Sequence, residues 1–189
     1  MIGGWSCSKK RENRARKSAF HLEVRDSYAE PEESEPLRRF LNGEPEPLTG
    51  YDKSDWLDLI ATLTGRGITM SRVRVVTVPH SDYQRWLLSV TGSSVEAGED
   101  IRYMPRHLAG QIPPDDWWLF DGARVAFNLV DAEGKPAGAA VTTDPGIVAN
   151  CRRMKERLWR LRMPNTLQRP TSSGDELVSA TRRPARLGG

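Results

Sequence analysis

The sequence predicts one α/β domain with helices packed on a mixed β-sheet, and three observations carry that prediction. The run ITMSRVRVVTV, residues 68–78, is dense in β-branched residues and leads through a helical stretch to a short strand at 101–104. Strand, helix and strand in that order make a βαβ unit with parallel strands. Three strands separated by tight-turn sequences follow as an antiparallel meander. A long amphipathic helix then closes the order, and 189 residues suffice for one domain around one core.

The elements can be justified in turn. In AFHLEVRDSY, residues 19–28, Phe20, Val24 and Tyr28 keep a helical i, i+4 step, while Phe20, Leu22 and Val24 alternate as in a strand, so periodicity leaves the type open. PEESEPLRRFLNG predicts a short helix with Ser34 as N-cap, Pro36 near the first turn, apolar Leu37, Phe40 and Leu41, and Gly43 past the end. From Ser54 a second helix aligns Trp56, Leu57, Ile60 and Leu63 and stops at Gly65 or Gly67. Along 68–78, Val73, Val75 and Thr77 take one face and Arg72, Arg74 and Val76 the other, until Pro79 ends the strand. Ser81 caps a helix whose Tyr83, Trp86, Leu87 and Val90 share a side and which Gly92 breaks. WWLF, ARVAFNLV and PAGAAVTT are the meander strands, punctuated by Asp121-Gly122 and by DAEG at 131–134. Asp144 caps the last helix, with Pro145 at its first position and Ile147, Val148, Cys151, Met154, Leu158 and Leu161 as its apolar stripe.

The net charge of +3 and the pI near 9.0 conceal an uneven distribution. Residues 1–17 hold six basic side chains against Glu12, and 151–163 hold six against Glu156, whereas 18–150 are acidic on balance. The ends and one helix set the pI, which does not by itself license nucleic-acid binding. Residues 1–17 are expected to form a basic flexible arm, 18–164 the single domain, and 165–189, rich in proline, serine, glycine and arginine, a disordered tail. No window holds the roughly 18 to 20 uncharged apolar residues of a membrane helix, and the first residues lack the layout of a secretion signal. Cys7 and Cys151 can build neither a disulfide framework nor a zinc site, so a reducing cytoplasm is the expected location.

The order RVRVVT, SDYQRW, AGEDIRYMPR, DDWWLFDGARVAFN and a terminal helix ending in MP, together with HLEVRDSY and PLRRFLNGEPE, resembles an actinobacterial family of unknown function across residues 19–164. The resemblance implies a short cytoplasmic protein, often encoded near a helix-turn-helix regulator, and it supplies no catalytic motif. In architecture the chain is also similar to the phospholipase D-like half-domain, which some regulators use as a noncatalytic sensor. Enzymes of that type carry His-x-Lys-x-x-x-x-Asp. With the Asp set on Asp121, Pro114 stands for the His and Asp116 for the Lys, and neither attacks nor stabilises a phosphoryl group. This likeness implies a dead site.

Arg72 and Arg74 project from one face of a strand that a mixed sheet buries on both sides. Each must therefore lie at an edge, meet an internal acid such as Glu99, Asp100 or Asp82, or contact an outside anion. Ser81 and Asp82 sit beyond the carboxyl end of that strand, where open α/β sheets bind ligands, and Ser81 opens a helix N-terminus rich in N–H donors. Tyr83 follows them. Trp117 and Trp118 face opposite ways, one into the core and the other toward a covering helix or a ligand. Asp115 and Asp116 read as solvated loop acids. His21, His80 and His107 lack metal-ligand spacing and read as chance surface histidines. The basic side of the last helix, Arg152, Arg153, Lys155, Arg157, Arg160 and Arg162, either complements the helix dipole or makes weak phosphate contact.

Three functions fit these residues. The first is a noncatalytic accessory or sensor domain without metal or cofactor, acting with a helix-turn-helix transcriptional regulator. It takes a protein partner or a small anionic ligand through Arg72, Arg74, Ser81, Asp82, Tyr83, Trp118 and Asp121. The second is an enzyme of unobvious chemistry in specialised metabolism using Asp82, Tyr83, Arg72, Arg74 and Asp121; a deep pocket gathering those side chains is its mark, as a flat sheet face is the binder's. The third is weak nucleic-acid binding through the basic ends, with affinity falling steeply in salt.

Overall fold

The computed structural model describes residues 15–44 and 52–161. Its strands are β1 (Ser18–Glu23), β2 (Thr69–Val76), β3 (Asp100–Pro105), β4 (Trp117–Phe120), β5 (Arg124–Val130) and β6 (Pro136–Thr142). They form one mixed sheet in the order β3-β2-β1-β4-β5-β6. β2 pairs in parallel with both β1 and β3, while β1–β4, β4–β5 and β5–β6 are antiparallel. The ambiguous segment 19–28 thus opens as a central strand. Two-sided burial explains the mixed periodicity: Phe20 and Leu22 enter one core, Ala19 the other, and His21 and Glu23 are buried as well.

The helices among the described residues are α1 (Pro31–Leu41), α2 (Ser54–Gly65), α3 (Asp82–Val90), α4 (Gly92–Glu96) and α5 (Pro145–Arg160). α1 begins one turn before the expected Ser34 cap, with Glu30 at the N-cap and Pro31 in the first turn, where its fixed φ suits a helix start. Pro36 consequently lies inside the helix and forgoes one backbone hydrogen bond. Gly92 does not end the helical run, because Thr91 keeps helical dihedrals and joins α3 to α4. Asp144 caps α5 by accepting from Ile147 N at 2.9 Å.

The sheet separates two apolar layers. On one face, Phe20, Leu22, Val73, Val75, Trp117 and Leu119 pack against Val148, Cys151 and Leu158 of α5. On the other, Ala19, Met70, Trp118 and Phe120 pack against Trp56, Ile60 and Leu63 of α2. Ala15 belongs to this second layer, so bonded structure starts ahead of the expected boundary at residue 18. The rest of the basic arm, residues 1–14, and the tail expected from residue 165 lie outside the described residues. No described helix is long and apolar enough to cross a membrane.

Candidate functional site

Alternation along β1 and β2 sends His21, Glu23, Arg72 and Arg74 to the α2 side of the sheet. The parallel register sets His21 beside Arg72 and Glu23 beside Arg74. All four are buried. One carboxylate serves two guanidinium groups: Glu23 accepts from Arg72 Nη1 through Oε1 and from Arg74 Nε through Oε2. Arg72 Nε also donates to Glu99 Oε1 at 2.8 Å. Burial raises the Glu23 carboxyl, but Arg72 and Arg74 outweigh burial and hold it well below the usual carboxylate range. His21 stacks on Trp118 with ring centroids 4.0 Å apart. Here burial wins, lowering the imidazole to about 3 despite Glu23, so His21 is neutral. It is a core histidine, contrary to the surface expectation.

This cluster lines an open cavity of about 130 Å³. Trp56, Trp118, Tyr28 and Tyr83 contribute aromatic walls, and the β5–β6 hairpin contributes Asn128, Leu129, Val130, Pro136 and Gly138. Asp116 also lines it and is not a solvated loop acid. It is 2% exposed, because its carboxylate accepts from Val24 N at 2.7 Å and from the Tyr28 hydroxyl. Burial and then Glu23 push the Asp116 carboxyl up to about 6, against the bonds from Tyr28 and Val24. The ionisable lining is balanced: Arg25, Lys53, Arg72 and Arg74 face Glu23, Glu30, Glu33 and Asp116. Arg74 Nη1 has no hydrogen-bond partner among the described residues.

Of the expected site residues, the fold brings Arg72, Arg74, Tyr83 and Trp118 to this cavity and leaves Ser81, Asp82 and Asp121 out of its lining. Tyr83 donates its hydroxyl to Glu33. Ser81 is occupied as the N-cap of α3, in a reciprocal capping box with Gln84, and exposed Asp82 pairs with Arg85 one turn on. Asp121 sits at the β4–β5 turn with φ 54° and accepts the N–H groups of Arg16, Lys17 and Ser18. The expected convergence of two arginines on a helix N-terminus is therefore not formed. The arginines turn instead to Glu23 and Glu99. Of the three acids expected to pair with them, only Glu99 does so; Asp100 bonds Arg102.

His21, Glu23, Tyr28, Trp56 and Asp116 escaped the sequence-based reading. Taking residues 18–23 as a strand would have put His21 and Glu23 on one face, next to the arginines if β1 and β2 were known to pair. The basic side of α5 is partly spent within the fold, since Arg157 donates to the carbonyls of Ala109 and Gln111. Among the described residues no cluster of three or more His, Cys, Asp or Glu could hold a metal ion.

A family model described as "Domain of unknown function (DUF6879)" matches residues 9–166. The chain belongs to this family. No curated protein matches this DUF6879 member. Among solved structures, the archaeal chromatin protein TrmBL2, described as showing a novel mode of DNA binding, aligns at 12% identity and a TM-score of 0.47, covering 84% of this chain and 51% of that one. The chain thus spans about half of TrmBL2. A phospholipase D family member, Nuc from Salmonella typhimurium, aligns at 11% identity and a TM-score of 0.47, covering 80% and 83% of the two chains. At those TM-scores neither likeness bears on activity.

Proposed function

We propose that this DUF6879 domain is a noncatalytic sensor that takes a small molecule into the cavity beside Glu23, Arg72 and Arg74 and passes its occupancy to a protein partner. The partner implied by the family resemblance is a helix-turn-helix transcriptional regulator in an actinobacterial cytoplasm, and the sheet serves as a phospholipase D-like half-domain turned to sensing. The observation that carries the reading is a concave site with aromatic walls and a buried guanidinium nitrogen, Arg74 Nη1, left unpartnered among the described residues. The balanced lining changes the expected ligand, because two arginines already met by Glu23 and Glu99 exert little net pull on a simple anion. Against the enzyme stands the departure of Asp82 and Asp121 from the cavity, which removes two of its five groups. The β5–β6 hairpin supports a link to a partner, since it lines the cavity and also forms one edge of the sheet.

A metabolite library screened against the full chain by two-dimensional NMR tests this reading. Binding compounds are expected to move the indole N–H signals of Trp56 and Trp118, which line the cavity. If the library gives no hit, or its hits leave both signals in place, the cavity is not a ligand site.

A further inference from the structure

We infer that the cavity is built for a small zwitterion of the amino-acid class, of about alanine size, with its carboxylate on Arg74 and its ammonium on Asp116 and Tyr28. This rests on the cavity being a ligand site. Arg74 is 9% exposed in its side chain and gives Nε to Glu23, yet Nη1 of the same planar group has no partner among the described residues. A buried guanidinium N–H left unmet is costly, and the group it suits best is a carboxylate oxygen.

Asp116 presents the opposite demand. It is buried, and its partners are one backbone N–H and the Tyr28 hydroxyl. Among the described residues no Lys, Arg or His pairs with it; the nearby Arg25 bonds Asp115 instead. A carboxylate offers about four lone-pair sites, so there is room for a cationic N–H donor. Tyr28 links the two ends, because its hydroxyl reaches Asp116 and it interacts electrostatically with Arg74. Glu23 is in contact with Arg74 and raises Asp116 by its charge, so a ligand of net negative charge is disfavoured while one carrying both signs satisfies each end. Size sets the remainder: a cavity of about 130 Å³ is slightly smaller than the roughly 150 Å³ that holds one benzene, so it takes about six heavy atoms in all, the number in alanine with its charged groups included.

Isothermal titration of the full chain at pH 8 with L-alanine, ethylamine and propionate tests the assignment. The two analogues lack the carboxylate and the ammonium in turn. L-Alanine is expected to bind, and each analogue at least tenfold more weakly. Tyr28→Phe is expected to weaken L-alanine severalfold, and more than it weakens propionate, which has no ammonium to lose. An analogue that binds as tightly as L-alanine overturns the assignment. No binding by any of the three, with other compounds still moving the Trp56 and Trp118 signals, overturns the ligand class and leaves the cavity reading standing; silence from every compound overturns both.

Discussion

Replacing Asp116 with asparagine isolates what it costs to keep a carboxyl at the cavity wall. Burial and the charge of Glu23 raise this group from 3.8 to about 6 in the folded chain, against Arg25 and the bonds from Tyr28 and Val24. A folded-state pKa above the unfolded one gives stabilisation that is complete below about pH 4 and is lost as pH rises through 6. At about 1.36 kcal/mol per unit, the loss amounts to about 3 kcal/mol. Asparagine does not titrate, so the stability of Asp116→Asn relative to the parent chain should rise by up to about 3 kcal/mol between pH 4 and pH 7.5. The altered bonds to Val24 and Tyr28 shift the whole difference curve without giving it slope. Glu23, Asp26 and Asp121, whose carboxyls are lowered and which weaken the fold in acid, are present in both chains and cancel to first order. Urea denaturation followed by circular dichroism at steps across that range measures the difference. A flat difference, or one that grows toward acid, would refute the argument.

Three further outcomes are expected. Arg74→Ala leaves Glu23 buried with one guanidinium instead of two and should cost about 3–5 kcal/mol in urea denaturation; a loss below about 1 kcal/mol would mean that the cluster is not structural. Val75→Asp places a carboxylate in the layer beneath α5, where Val75 is fully buried, and should abolish the cooperative thermal transition seen by circular dichroism. Asp121→Ala takes the acceptor from three backbone N–H groups and should lower stability by about 1–3 kcal/mol, while an NMR titration with any cavity ligand gives the parent affinity.

Local signals were legible where one element alone decided them. The alternation of β2 put Val73 and Val75 on the core side and the arginines opposite, and Ser81 and Asp144 were recognisable as caps. The site required knowledge of which strands touch. Glu23 lies 49 residues from Arg72 in sequence, and no local pattern selects it over Asp82 or Asp100. Asp116 looks solvated in PPDDWW because the groups that bury it, Val24 and Tyr28, lie about 90 residues earlier. Asp121 was drawn into the candidate site by motif alignment, whereas its left-handed turn conformation directs it to the chain entering β1.

That last contact governs how the basic end can be studied. Ala15 is 1% exposed, and Arg16 and Lys17 hold the Asp121 carboxylate through their backbone, not through their charges. Truncation at Ser18 therefore removes a core side chain and two of the three donors along with the positive charge. A loss of nucleic-acid affinity in such a shortened chain would mix charge with damage to the fold. Neutralising Lys9, Lys10, Arg11 and Arg14 in the full chain keeps Ala15 and the three donors to Asp121 in the sequence, so the salt dependence of binding is compared without removing the clasp.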